Sequence, residues 1–334
     1  MPKSNLNRRQ FIRVNTTALT GAAIAPAAIT GEKHGAFSGT NDGNQNRSPG
    51  FYRFAMGDLQ ITVINDGFFH LSEITPSGMK PTETLAINAI EGSRQEYFAS
   101  RLLNSDDPRI PISPVLIESG DRKILVDSGW SMPGASDTAG RLGSSLEMLG
   151  IARESIDVVI VTHAHPDHVG LANPATGAPF YTNAEVVITE TELKFWTGDA
   201  AAWIAWIPIV LKSLDEHLRV IKAGDEVVSG IRSIPSHGHT PGHICLGIEA
   251  GGRELLLTGD AIVNIHTTFE HPDWHNFFDI EREQAGQTRR KILDRAATDE
   301  MLILGYHLPF PGLGYALRDG DAYRWYPAGA TLVS

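Results

Sequence analysis

A layered α/β fold, with two mixed β-sheets packed face to face and helices outside, is what the sequence predicts, and three features predict it. The run Ile156 to Val161 is short, apolar and rich in β-branched residues, the composition of a strand buried on both faces. It ends in the polar loop His163-Ala164-His165-Pro166-Asp167-His168. Strands, then a polar loop, then a helix recur in the C-terminal half, and such a repeat suits two sheets packed against each other. The 334 residues exceed a typical domain, but a two-sheet α/β enzyme can hold that length around one core.

Taken in order, the chain opens unlike the rest. Asn7-Arg8-Arg9-Gln10-Phe11-Ile12-Arg13 looks like a twin-arginine signal, followed by an Ala-rich apolar stretch from Ala18 to Ile29 with Ala25-Pro26-Ala27 as a cleavage site. Residues 1–31 are thus expected to direct export to the periplasm, and residues 32–50, rich in Gly, Asn and Ser, read as a flexible linker. Residues 51–334 form the domain. Gln60 to Ile64 reads as a strand closed by the Asn65-Asp66-Gly67 turn, and the segment 76–107 as an insertion with a short helix from Glu91 to Leu103. Pro114 to Glu118 and Lys123 to Gly129 flank a Ser119-Gly120-Asp121 turn and form a hairpin.

Thr189 to Arg219 reads as a long helical region in which Trp203, Trp206 and Ile207 share one face at i, i+3, i+4 spacing. Such a stripe packs into the core or, with Trp196, Phe269 and Trp274, walls a pocket for an aromatic substrate. Val227 to Ile234, Ile244 to Glu249 and Glu254 to Leu257 read as strands of the second sheet. A helix from Glu281 to Ala297, a strand from Met301 to Gly305 and a last strand from Tyr323 to Tyr326 close the chain.

Composition narrows the function. The net charge is −11 and the body of the chain carries no basic run, which speaks against nucleic acid as a partner. No run of 18 apolar residues occurs, so no membrane span is expected. The single cysteine, Cys245, excludes an internal disulfide and a cysteine-based zinc site, and in its apolar strand it reads as a small core residue.

The histidine loop carries the chemistry. His163 and His165 are two residues apart, so on extended chain both imidazoles point to one side, and Pro166 disfavours helix at His165. Asp167 and His168 fall where the chain can turn into a helix, so their side chains diverge from the first pair. Four ligands at this spacing can serve two neighbouring cations.

The segment His163-Ala164-His165-Pro166-Asp167-His168 resembles the His-x-His-x-Asp-His signature of the metallo-β-lactamase superfamily. Three further segments resemble its later motifs: Ser236-His237-Gly238-His239-Thr240-Pro241-Gly242-His243, Leu255 to Asp260, and Leu304-Gly305-Tyr306-His307. The resemblance covers roughly residues 52–330. It implies the αβ/βα sandwich and a dinuclear site, with His163, His165 and His239 on one cation, Asp167, His168 and His307 on the other, and Asp260 bridging. It also implies supporting roles behind the ligands for Asp127 and His243, and catalytic roles for Asp167 and Asp260. Imidazole and carboxylate donors without thiolate suit Zn²⁺, with Mn, Fe or Co also accommodated. Two such cations, about 3.5–4 Å apart, hold a hydroxide that attacks an electrophile.

The segment Gly305 to Gly314 looks like methyl parathion hydrolases and their lactonase relatives. Quorum-quenching lactonases carry a tyrosine three residues after the bridging aspartate; Val263 stands there in this chain. Asn264, His266 and Tyr315 are candidates for the missing donor. The expected substrate is a small, mostly apolar molecule with a good leaving group, an aryl phosphotriester or an ester. Alternatives are an electron-poor chloroaromatic, dehalogenated as chlorothalonil is by a member of the superfamily, or a lactone. An alternative of another class is a non-catalytic metal-binding module. Insertions like 76–107 cover the site or join subunits in relatives, which leaves a homodimer open.

Overall fold

The computed structural model describes residues 50–328, apart from 91, 102–106, 131–135, 174–175, 200–203 and 205. The signal at 1–31, the linker up to residue 49 and Trp203 lie outside the described residues.

The first sheet contains β1 (Phe51–Met56), β2 (Leu59–Ile64), β5 (Val115–Ser119), β6 (Arg122–Val126), β7 (Val158–Ile160), β8 (Glu185–Thr189) and β9 (Leu218–Ile221) in that spatial order. Its first four strands pair antiparallel and its last four parallel, so the sheet is mixed. The second sheet runs β10 (Glu226–Val228), β11 (Ile231–Pro235), β12 (Ile244–Ala250), β13 (Arg253–Leu257), β14 (Leu302–Leu304), β15 (Leu313–Asp319) and β16 (Ala322–Pro327). It is antiparallel except where β13 and β14 run parallel. A small ribbon, β3 (Gly67–His70) with β4 (Arg109–Ile112), stands apart from both.

The sheets face each other. Ile61, Ile117, Ile124 and Ile160 from the first sheet share one buried cluster with Ile231, Leu246, Leu255 and Leu304 from the second. The opposite face of the first sheet, through Leu125, Val159 and Val186, packs on the helices α2 (Leu142–Met148), α3 (Glu190–Thr197) and α4 (Trp206–Ser213). The outer face of the second, through Cys245, Leu256 and Ile303, packs on α5 (Arg282–Thr298). This is the predicted sandwich, and it explains the continuous apolar runs: a strand buried on both faces has no side for polar residues. Cys245 is fully buried, with Sγ against the Thr258 carbonyl at 3.2 Å, and burial pushes its thiol up to about 12.

Three boundaries differ from the sequence reading. The run Val227 to Ile234 is two strands, because Gly230, at φ 80°, turns the chain back on itself. The helical region Thr189–Arg219 is two short helices followed by β9. Asp167 and His168 lie in a turn closed by the His168 N–H on the His165 carbonyl (3.0 Å), not at the start of a helix. The insertion carries α1 (Ser93–Ser100) within the predicted span.

The Asn65-Asp66-Gly67 turn does more than reverse the chain. The fully buried Asp66 carboxylate accepts the N–H groups of Trp130 (2.9 Å), Gly140 (3.3 Å) and Leu142 (2.5 Å), tying the segment after β6 to the turn. Asp66→Ala strands those donors, each costing about 1–3 kcal/mol, so a loss of at least about 3 kcal/mol is expected in chemical denaturation. Burial pushes the Asp66 carboxyl from 3.8 up to about 7, against the pull of its N–H donors. Because the folded pKa lies above the unfolded one, proton-linked stability is present below 3.8 and is lost as pH rises through about 7. Asp66→Asn should therefore flatten the pH dependence of stability over that interval; equal slopes in both proteins would refute the assignment.

Candidate metal centre

The histidine- and aspartate-bearing loops leave the carboxyl ends of β6, β7, β13 and β14 and the β11–β12 connection, and they meet at one edge of the sandwich. Strand ends in α/β folds gather side chains there because loops can diverge from a rigid sheet. After β7, His163 Nε2 lies 2.9 Å from His165 Nδ1, which lies 2.9 Å from His239 Nε2. Asp260 Oδ2 lies 3.8 Å from His163 Nε2 and 3.3 Å from His239 Nε2. These four side chains form one group whose donor atoms lie within 4.8 Å of each other; Asp167, His168 and His307 form a second. Asp260 reaches both, with Oδ1 3.3 Å from His168 Nε2 and Oδ2 3.1 Å from His307 Nε2. All seven side chains are buried.

Three of the five imidazoles are aimed by a partner behind them. His168 Nδ1 donates to Asp127 (2.8 Å), His239 Nδ1 to Asp279 (2.9 Å) and His307 Nδ1 to the Pro111 carbonyl (2.6 Å). A neutral ring protonated at Nδ1 offers a lone pair at Nε2, so these bonds turn three Nε2 lone pairs inward. Asp127 also accepts from Thr162 N–H and Oγ1 (2.8 Å each) and adopts a positive φ of 54°, a strained conformation that aspartate tolerates. His243 sits behind Asp260: its Nε2 accepts the Asp260 N–H (3.0 Å) and its Nδ1 pairs with Ser236 Oγ (2.7 Å). Burial holds His243 neutral, down at about 3.

The residues fit a pair of divalent cations on observations of their own. His168 Nε2 and Asp260 Oδ1 are buried without a hydrogen-bond partner. Three imidazole nitrogens at 2.9 Å spacing cannot all satisfy one another, since lone pairs converge there. Electrostatics agrees. Burial opposes charge on His239, yet Asp260 and Asp279 outweigh it and raise the ring to about 9. Burial likewise opposes charge on Asp260, but His307 and His168 outweigh it and hold its carboxyl well below the usual range. The carboxylates thus favour positive charge at His239, whereas burial and the neighbouring rings hold His163 and His165 well below the usual histidine range. Nitrogen and carboxylate donors without sulfur suit zinc and its neighbours.

Above the centre opens a cavity of about 190 Å³, floored by His165, Asp167, His239, Asp260 and His307. Phe69, Leu71, Ile110, Trp130 and Phe278 wall it, and Leu85 brings the insertion over it. The aromatic wall predicted from sequence is not the one observed. Trp196 is fully buried under the site: its indole N–H donates to Glu192 (2.6 Å) and its ring meets His165 edge-on. Phe269 is fully buried in the core beside Trp325. Trp206 packs on the helical side of the first sheet and Trp274 stacks on His271, neither lining the cavity. From the Thr189–Arg219 region it is Ile204 that lines the cavity. Trp196 and Phe269 went inward because their short helices pack against the core, where large apolar area is best hidden, while Trp206 and Trp274 stay half-buried, Trp274 in a bend outside any helix.

Of the three donor candidates, Tyr315 lies elsewhere. Tyr315, on β15, lines a separate cavity with Met56 and Met301. Asn264 and His266 line a neighbouring cavity that shares Leu85, Ile110 and His307 with the one over the metal centre, and Asn264 Oδ1 is engaged by the N–H groups of His266 (2.8 Å) and Thr267 (3.0 Å). Val263 lines the cavity over the metal centre.

Sequence reasoning passed over Glu192, Asp279 and Asn276. Thr189 to Glu192 carries a helix-start pattern, and Thr189 Oγ1 does accept the Glu192 N–H (3.2 Å). The buried carboxylate, however, accepts Ala164 N–H (2.9 Å), Thr240 Oγ1 (2.7 Å) and Gly242 N–H (3.0 Å), joining the two histidine loops. Gly242 approaches so closely that a Cβ there would lie 2.2 Å from Glu192 N. Asp279 and Asn276 belong to an irregular loop with no pattern to mark them.

Residues 108–307 match the family model of the metallo-beta-lactamase superfamily. AidC, a dizinc quorum-quenching lactonase solved with the product N-hexnoyl-L-homoserine, superposes with a TM-score of 0.75 at 24% identity over 84% of this chain and 98% of its own. The hydrolase AbOPH of the beta lactamase superfamily superposes with a TM-score of 0.75 at 26% identity, over 85% and 99%. The N-acyl homoserine lactonase of Bacillus thuringiensis is 25% identical over 173 residues, 46% of this chain and 64% of that protein. The curated relatives are matched over 46% to 64% of their own length. Two facing mixed sheets, histidine and aspartate loops meeting at one edge, and a family match across the loops that carry them make one case: this chain belongs to the metallo-β-lactamase superfamily of metal-dependent hydrolases.

Proposed function

We propose that the chain hydrolyses a small, largely apolar lactone or ester at a dinuclear zinc centre. The observation that carries this reading is an apolar cavity whose floor is made of His165, Asp167, His239, Asp260 and His307, so that a neutral substrate is held against the polar edge by burial of its apolar part. His163, His165 and His239 would hold one cation, and Asp167, His168 and His307 the other, with Asp260 shared. The cations supply Lewis acidity and an activated water when bound. The chain's own residues orient and exclude. Phe69, Leu71 and Ile110 keep bulk water from the acyl group, and Asp127 and Asp279 fix the ring tautomers. Asp167 reaches the cavity with a carboxylate able to take up and return a proton at the leaving oxygen.

The lactonase relatives support a lactone as the ester class. A second reading, an aryl phosphotriester, is favoured by the Phe69–Trp130 ring pair, 5.7 Å between centroids, which with Phe278 offers aromatic walls to an aryl group. The chloroaromatic reading loses the platform of Trp196, Phe269 and Trp274 on which it stood.

The test is a substrate panel on metal-analysed protein: an N-acyl homoserine lactone, a p-nitrophenyl ester, an aryl phosphotriester and a chloroaromatic nitrile. Lactone or ester turnover that disappears on chelation and returns with two equivalents of zinc is expected. Turnover surviving complete metal removal would sink the reading. Export by the segment around Arg8 and Arg9 is part of this proposal; periplasmic accumulation unchanged by Arg8→Lys with Arg9→Lys would count against it.

A further inference from the structure

The amide of Asn276 belongs to the cavity wall, is not a proposed metal ligand, and is not engaged through all its polar atoms among the described residues. The residue is 6% exposed. Its Oδ1 accepts the Phe278 N–H (3.1 Å), and since a backbone N–H can only donate, that bond decides which end of the amide is oxygen. The Nδ2 end makes no hydrogen bond to any described residue, and it is not among the atoms sealed from solvent without a partner, so it is open to the cavity that Asn276 lines. A donor fixed in the wall and open to the cavity can meet an acceptor on a ligand seated there.

The loop holds the amide firmly. Asn276 N–H donates to Asp279 Oδ2 (3.1 Å), and Asp279 Oδ1 accepts from His239, so the amide stands two hydrogen bonds from a proposed metal ligand. Phe277 N–H donates to the Thr84 carbonyl (2.7 Å), and Ile87 N–H to the His275 carbonyl (3.0 Å), pinning the loop to the insertion. At the position after Asp260 where lactonases bring a tyrosine, Val263 offers the cavity no donor.

We propose that Asn276 donates from Nδ2 to the carbonyl oxygen of the bound lactone or ester, and so orients the acyl group and stabilises charge growing on that oxygen. This rests on the hydrolase reading above, and its test separates the two. Wild type, Asn276→Asp and Asn276→Ala are compared at equal metal content and verified fold, using whichever lactone or ester the panel finds. Asn276→Asp keeps the acceptor for Phe278 and removes both N–H donors; Asn276→Ala removes donor and charge alike. Both variants should lose about 10²- to 10³-fold in kcat with KM changed far less, because the bond strengthens as the oxygen becomes anionic. Independently of turnover, wild-type protein labelled with ¹⁵N-asparagine is titrated with hexanoate, and the Asn276 side-chain N–H resonances should move downfield. Asn276→Ala at the wild-type rate overturns the proposal, since a loss confined to Asn276→Asp is charge repulsion. So do Asn276 resonances that stay still at every hexanoate concentration. A wild type that turns over nothing in the panel defeats the hydrolase reading alone, and the hexanoate titration then decides Asn276.

Discussion

Asp260→Ala is expected to leave a folded protein that binds fewer than two metal ions per chain and whose kcat/KM falls by at least about 10³-fold. The reasoning starts from reach. Asp260 lies within 3.8 Å of His163, His168, His239 and His307, and among the described residues no other carboxylate approaches both groups of donors as it does. Two divalent cations bring four positive charges into a buried pocket where Asp167 and Asp260 are the only carboxylates in the two donor groups. Removing one of the two anions raises the repulsion between the cations where the dielectric is low and screening weak. Changes at groups that merely support a ligand already cost about 10- to 100-fold, so loss of the shared ligand should exceed that. Metal content by elemental analysis, with circular dichroism as the check on folding, measures it. Two ions per chain with undiminished turnover would remove Asp260 from the shared position.

Asp279→Ala should lower metal affinity by about 10- to 100-fold and stability by about 3–5 kcal/mol, through separate causes. One oxygen of Asp279 fixes the His239 tautomer (2.9 Å); the other pairs with the buried Arg289 (3.0 Å). Alanine frees the His239 ring and leaves a guanidinium buried with only the carbonyls of Ala261, Pro272 and Trp274 for company. Adding Arg289→Leu should restore much of the stability and none of the affinity. A double variant that recovered both together would mean that His239 needs no orienting partner. The cycle is informative because the two residues touch, where single effects do not add.

Much of this site was legible because metal coordination imposes short spacings on residue types that are rare in combination. His163, His165, Asp167 and His168 fall within six positions, and a tight loop after a buried strand carries that information locally. Asp127 was readable only through the family resemblance, which places an aspartate at the end of this strand. The pocket was not. Trp196 looked like a wall, but its helix packs flat on the sheet and its indole serves Glu192. Phe69, Trp130, Leu85 and Phe278 come from four separate segments, none with a periodicity that points at the others.

The amino-acid sequence by itself determined the strand-rich halves, the buried runs of the two sheets and the donor quartet His163, His165, Asp167 and His168, because burial on both faces and ligation each demand particular side chains at particular local spacing; His239, Asp260 and His307 were named by the resemblance of their motifs. Only the tertiary structure decided which aromatic rings face the substrate, which carboxylates aim the imidazoles from behind, and that Asn276 holds a free donor over the centre. Those outcomes depend on contacts between positions far apart in the chain, such as Thr84 with Phe277 and Asp279 with His239, and distance in three dimensions leaves no regular mark on the order of residues.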